Sequence, residues 1–356
     1  MPENQQDPMQ ADTPAVQIDL DVVRRNIARF QDYANSVGLT VRPHIKTHKL
    51  PQVAAMQVRA GAIGITCQKV SEALAMVAGS GIRDVMITYN ILGAEKLHHL
   101  TDLARKVRLS VVADSAVVVD GLAAAFERQP PLRVLVECNT GADRCGVATP
   151  QDAANLARRI HAANGLLFAG LMTYPPVGGA AAVQDFMTHT KALLAAEGIS
   201  VEVVSSGGTP SMMTAGDAPV VTEYRPGTYV YNDRSLVARG VCGWDDCALT
   251  VLATVVSVPA QTRAIIDAGS KALTSDLLGL TGYGHVLGRP DIMIDQLSEE
   301  HGRLITDGPI NLTVGQKLRI VPNHACVVTN LVDAVSVIEA GRVTAQWPVV
   351  ARGKVT

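Results

Sequence analysis

Aromatic residues are scarce: Phe, Trp and Tyr make up 4% of the 356 residues, and charged side chains only 18%. Any core must therefore be aliphatic, and the 47% of apolar residues, rich in Ala, Val and Leu, can supply one. That balance excludes global disorder and suits helices packed on a parallel sheet. The formal net charge of −2 excludes a general pull toward nucleic acid or anionic lipid, although local positive charge can still hold a phosphate. None of the six cysteines (Cys67, Cys138, Cys145, Cys242, Cys247 and Cys326) forms a C-x-x-C pair, and thiols in a large chain without a secretory signal are expected to stay reduced. No apolar run of about 18 residues is free of charge and proline, so no membrane span is expected. Residues 1–13 are polar and lack an apolar h-region. They are expected to be disordered, and the chain to be cytoplasmic.

From residue 14 onward, short apolar runs alternate with longer amphipathic stretches. A strand is expected at 16–19, followed in order by strands at 40–43, 62–65, 84–88, 108–112, 133–137, 168–172, 201–204 and 220–224. Helices are expected at 20–38, 51–60, 71–79, 94–106, 152–163 and 183–196. Beyond 16–19, strands alternating with helices over about 200 residues meet the requirement of a (β/α)8 TIM-type barrel. A doubly wound sheet is the alternative. After residue 240, strand-like runs at 249–258, 262–268, 316–321 and 329–338 are separated by Gly, Pro and Asp. The expected organisation is a barrel over 14–240 and a smaller, mostly-β domain over 241–356, with the first strand free to join either.

The segment RPHIKTHK, residues 42–49, follows the first barrel strand. Barrel chemistry sits at the C-terminal ends of strands, and Lys46 there is suited to forming an imine with an aldehyde cofactor. A basic loop capping the barrel would explain the same spacing. Ser206, Gly207, Gly208 and Thr209 follow the seventh strand, and Gly227, Thr228 and Tyr229 the eighth. Those two loops commonly build a phosphate site in barrels, with backbone N–H groups and hydroxyls as donors. Two ordinary glycine turns are the alternative. Arg144 after the fifth strand and Tyr174 at the end of the sixth would face a ring held over the barrel mouth. The other readings are an ion pair of Arg144 with Asp143 or Glu137, and a capping core tyrosine. In PNHAC, residues 322–326, a strand running past Pro322 would turn His324 and Cys326 to one side. Imidazole and thiolate suit Zn²⁺, and two ligands leave positions open for substrate. Two buried structural residues are the alternative.

RPHIKTHK, CQKVSEA (67–73), GADRCGV (141–147), SSGGTP (205–210), YRPGTY (224–229) and WPVVARG (347–353), in this order, resemble the D-threonine aldolase and D-serine dehydratase family. Its members have the alanine-racemase-type barrel followed by a β-domain. The resemblance implies pyridoxal phosphate on Lys46 and ring contacts from Arg144 and Tyr174. It implies phosphate contacts from Ser206, Gly207, Gly208, Thr209, Gly227, Thr228 and Tyr229. It also implies a divalent metal on His324 and Cys326, Zn²⁺ first, with Mn²⁺ or Mg²⁺ as alternatives. The activity implied is that of a lyase on a small D-β-hydroxy-α-amino acid, in a homodimer. Two departures bear on the outcome. Dehydratase-like members carry His-x-Cys, whereas aldolase members carry His-x-Asp. Aldolase members also continue the strand-six tyrosine into His-Gly, where this chain has Pro175, Pro176, Val177, Gly178 and Gly179. Both lean toward elimination, giving a keto acid and ammonia, over Cα–Cβ cleavage to glycine and an aldehyde. An amino-acid racemase and a non-catalytic pyridoxal-phosphate carrier are the rival readings. A racemase has no use for the metal, and a carrier none for the β-domain.

Overall fold

The structure, a computed structural model, describes residues 7–356. The chain forms two compact units. One comprises Ala28–Lys46, Pro51–Gly227 and Lys354–Thr356; the other comprises the N-terminal segment through Ile27, Thr47–Leu50 and Thr228–Gly353. The division thus falls between Gly227 and Thr228, upstream of the boundary expected near residue 240.

The elements run β1 (Ala15–Asp19), α1 (Leu20–Ser36), β2 (Thr40–Val41), α2 (Pro51–Arg59), β3 (Ile65–Cys67), α3 (Val70–Val77), β4 (Asp84–Ile87) and α4 (Ala94–Ala104). Next come β5 (Arg108–Ala113), α5 (Ala116–Phe126), β6 (Leu132–Cys138), α6 (Pro150–Ala162), β7 (Leu166–Thr173), α7 (Ala180–Ala195), β8 (Val203–Ser206) and β9 (Glu223–Tyr224). Strands β2 to β9 make one eight-stranded parallel sheet in the order β2-β9-β8-β7-β6-β5-β4-β3. A bridge between His44 and Thr66 joins its two ends, with Thr66 N donating to Pro43 O at 2.8 Å. The sheet closes, and the expected (β/α)8 barrel is the observed one. Met86, Val112, Leu135, Ala169 and Met172 pack together as a buried cluster on β4 to β7. Helix α6 illustrates the local logic. Thr149 caps it by accepting from Asp152 N, Pro150 occupies its first turn, and Ala153, Ala154, Leu156, Ala157 and Ile160 form its buried stripe. Helix α5 was not expected: Ala116–Phe126 is almost wholly apolar, so no polar face marks its period.

The second unit continues with α8 (Arg234–Ala238), β10 (Leu249–Ala260), β11 (Arg263–Ile266), α9 (Ser270–Leu273), β12 (His285–Val286), β13 (Met293–Leu297), β14 (Gly302–Ile305), β15 (Lys317–Val321), α10 (Ala325–Leu331), β16 (Ala334–Glu339) and β17 (Arg342–Pro348). Its sheet runs β13-β14-β11-β10-β1-β16-β17, with β15 pairing β10 and β12. The early strand β1 therefore belongs here, antiparallel to β10 and parallel to β16. Its Val16, Gln17 and Ile18 are all buried, as a central strand requires.

Residues 7–13, expected as part of a disordered N-terminus, are ordered. Asp7 caps a short 3-10 turn over Pro8–Gln10, Gln17 donates to Pro8 O, and Thr13 bonds Thr254 and Asp267. Tertiary partners far along the chain fix a stretch whose own composition carries no order. The rest of that expectation, residues 1–6, lies outside the described residues. Among the described residues no helix is long and apolar enough to cross a membrane.

Candidate active site

Lys46 lies in a single 3-10 turn, Ile45–Thr47, just after β2, and is half-buried. Its backbone N–H donates to His44 Nδ1 at 3.4 Å, and His44 Nε2 is 3.0 Å from Gln68 Oε1. Gln68 is held in turn by donating Nε2–H to Thr88 O and its backbone N–H to Glu72 Oε2. Two neighbouring strand ends thus brace the turn that carries the lysine.

The glycine turns after β8 and β9 are tied together. Gly227 N donates to Thr209 Oγ1 at 3.2 Å, and Arg225 N donates to Ser206 O at 2.9 Å. A Cβ on Gly207 would lie 2.7 Å from Arg225 O, so the closeness of the turns demands glycine. Gly208 sits at φ 138°, where side chains are strained. Beneath the turns lies a buried ionic chain. Arg225 Nε donates to Ser205 Oγ at 2.8 Å and Ser205 Oγ–H to Glu223 Oε1 at 2.5 Å, while Arg42 Nε donates to Glu223 Oε2 at 2.7 Å. Arg42, Arg225 and Glu223 support the two turns, and no spacing rule had singled them out.

Arg144 and Tyr174 come together, the guanidinium 4.6 Å from the ring centroid. Asp143, the ion-pair alternative for Arg144, accepts from Asn139 instead. Nearby on β6, burial and the charge of Asp114 push the Glu137 carboxyl up to about 7, against the pull of Arg225 and Arg144.

In the second unit, His324 and Cys326 also come together, but not on a strand. Strand β15 stops at Val321; His324 is the N-cap of α10, and Cys326 lies in its first turn. The expected i, i+2 strand alternation is therefore incorrect. Asp233 is the reason: its carboxylate caps α8 through Leu236 N and also accepts from Ala325 N at 3.1 Å, so it holds the start of α10. Cys326 Sγ is 3.1 Å from Thr47 Oγ1 and 3.5 Å from Thr228 Oγ1. The Thr228 hydroxyl, expected at the phosphate, is thus also within reach of the thiol. Tyr229 is buried. Burial pushes the Cys326 thiol up, but His324, Thr228 and Thr47 outweigh it and hold the thiol below its ordinary value. Burial pulls the His324 imidazole down, but Cys326, Asp276 and Asp233 outweigh it and raise it to about 9. Asp276 Oδ2 is 2.6 Å from His324 Nδ1, a partner 48 residues distant that sequence reading missed.

The donor set, one imidazole and one thiol whose ionisation its neighbours favour, fits a divalent ion of the zinc type. The Tyr231 hydroxyl, buried without a hydrogen-bond partner among the described residues and electrostatically linked to Cys326, is a further polar atom near such a site. No cluster of three or more His, Cys, Asp or Glu side chains suited to a metal occurs among the described residues.

Comparison with known proteins gives this geometry its context. The family described as "Alanine racemase, N-terminal domain" matches residues 18–235, and that described as "Putative serine dehydratase domain" matches residues 248–338. The chain belongs to this family. It is 34% identical to a D-threonine aldolase from an Arthrobacter species, over 98% of this chain and 94% of that protein. The solved structure of D-threonine aldolase from Filomicrobium marinum superimposes with a TM-score of 0.92 at 34% identity, covering 100% of both chains. That of D-threo-3-hydroxyaspartate dehydratase from Delftia sp. HT23 gives 0.85 at 33%, covering 97% of this chain and 99% of the other. A cysteine-to-alanine variant of D-threo-3-hydroxyaspartate dehydratase was solved in a metal-free form. The chain thus has the alanine-racemase-type fold of a pyridoxal-phosphate-dependent family whose relatives include aldolases and dehydratases.

Proposed function

We propose that the chain is a pyridoxal-phosphate- and divalent-metal-dependent lyase acting on small D-β-hydroxy-α-amino acids, with loss of the β-hydroxyl as the favoured outcome. The observation that carries this reading is the His324–Cys326 pair at the start of α10, its thiol held by Thr47 and Thr228. Lys46 holds the cofactor, and Arg144 and Tyr174 contact its ring. The turns at Ser206, Gly207, Gly208, Thr209 and Gly227 hold its phosphate, helped by the backbone at Thr228 and Tyr229. When bound, the cofactor supplies an electron sink for charge at the substrate α-carbon, and the metal a Lewis acid for the β-oxygen. The Lys46 amine is the base for the α-proton. Loss of that proton and of the β-hydroxide, followed by hydrolysis, leaves a keto acid and ammonia. The loop after Tyr174, with two prolines and no histidine, offers no imidazole to take a proton from the β-hydroxyl, which disfavours bond cleavage between Cα and Cβ. Full-length similarity to D-threonine aldolase supports that cleavage as the second reading. Zn²⁺ is the metal first assigned, with assembly as a homodimer and residence in the cytoplasm.

The test is product analysis over a panel of D-β-hydroxy-α-amino acids, with and without a chelator. The expected products are keto acid and ammonia, lost on chelation and restored by Zn²⁺. Aldehyde and glycine as main products would replace elimination by the second reading, and full turnover without metal would overturn the metal's part.

A further inference from the structure

His324 donates or accepts through Nδ1 toward Asp276 Oδ2 across 2.6 Å, and both partners of this contact rest on one scaffold. Asn323, the residue before His324, donates Nδ2–H to Gly282 O at 2.8 Å and to Asp276 O at 3.3 Å. Arg234 donates to Asn323 Oδ1 at 3.0 Å, to Gly282 O at 3.1 Å and to Thr281 O at 2.9 Å. Asp276 N donates to Thr274 Oγ1 at 3.2 Å. Thr274 itself sits at φ 65°, ψ 155°, a conformation that residues with side chains seldom hold unless their surroundings impose it. The loop over residues 274–282 is therefore built to one shape, and that shape sets a carboxylate against one ring nitrogen.

A neutral imidazole has one donor nitrogen and one acceptor nitrogen, and an ionised carboxylate can only accept. With Asp276 facing Nδ1, the proton of neutral His324 belongs on Nδ1 and the lone pair on Nε2. We propose that Asp276 is a positioning residue: through the Nδ1 hydrogen bond it fixes the tautomer and ring orientation of His324 so that Nε2 is the metal-binding nitrogen. A carboxylate behind the ring also raises the basicity of the ligating nitrogen. This inference rests on the reading that His324 and Cys326 bind a divalent ion.

The test uses the full-length protein with Asp276→Asn and Asp276→Ala, and has two readouts. The first is Zn²⁺ affinity measured by competition with a chromophoric chelator. It is expected to fall about 10- to 100-fold in both variants while cofactor absorbance is retained. The second is the ¹⁵N spectrum of the His324 ring in metal-free protein at a pH where the ring is neutral. It should show the Nδ1–H tautomer in the wild type and a mixture in the variants. Asp276→Asn keeps the size of the side chain, so it remains informative if the alanine variant fails to fold. Unchanged Zn²⁺ affinity in Asp276→Asn overturns the positioning role, as does a wild-type tautomer in both variants. If the wild type or His324→Ala shows that no Zn²⁺ binds through His324, the metal reading fails instead, and the tautomer readout alone decides what Asp276 does.

Discussion

Lys46 and Cys326 differ in what surrounds them, and each environment suits the chemistry proposed for it. Lys46 is half-buried on a turn braced through His44 and Gln68, which limits its motion without sealing it away. Lys46→Ala should give a colourless protein without the borohydride-sensitive imine absorbance of the wild type. A reducible imine at another lysine in that variant would show the assignment to be wrong. Cys326 is reached by hydroxyls from Thr47 and Thr228, and its thiolate is favoured by the neighbouring imidazole. In the chain, Thr47 follows Lys46 and Thr228 follows Gly227, so the residues read for the cofactor and those that hold the thiol are consecutive. Lys46, His324 and Cys326 could be singled out as candidates because lysine, histidine and cysteine carry distinctive chemistry in short motifs. Gln68 and Asp276 were not, because each acts through one hydrogen bond to a residue 24 or 48 positions away.

Helix α10 is the element that most departs from sequence expectation. Its Ala325–Leu331 stretch contains paired valines and a threonine, which favour strands. The Asp233 carboxylate overrides that preference by satisfying the Ala325 N–H and the start of α8 together. Asp233 is fully buried, so removing it leaves helix-terminal donors without partners. Asp233→Ala is expected to destabilise the protein by about 1–3 kcal/mol. Chemical denaturation of the metal-free protein would measure this, and a change below about 0.5 kcal/mol would mean that neither helix start depends on the cap. The short strands β12, β13 and β14 were also unread, because runs of two to five residues, only partly buried, carry too little pattern to mark a strand.

At the scale of the whole molecule, Glu137 makes folding depend on pH. Its carboxyl titrates near 4.5 when exposed and at about 7 in the folded protein, raised by burial and then by Asp114. Between those values the native state holds more protons than the unfolded state, so stability falls as pH rises. Below about 4.5 both states are protonated and the effect vanishes; above about 7 it is complete. The loss should be on the order of 3 kcal/mol across that window. Glu137→Gln should abolish this part of the slope, as measured by denaturant unfolding of cofactor-free protein from about pH 4 to about pH 8, which brackets the shift. Identical slopes in variant and wild type would show that Glu137 ionises normally.

The order of the barrel strands, the closure of the barrel and the short motifs at its strand ends followed from sequence alone. Alternating apolar runs, helical stripes and glycine turns are local signals, and each needs only its neighbours to be read. The membership of β1 in the second sheet, the order in residues 7–13, the helical start that joins His324 to Cys326 and the carboxylate behind His324 were decided by tertiary structure. Each depends on a partner far along the chain, such as Val251 for Val16, Thr254 for Thr13, Asp233 for Ala325 and Asp276 for His324. Hydrogen bonds to such partners can override local propensity because a buried N–H or carboxylate left unmatched costs more than the preference it displaces.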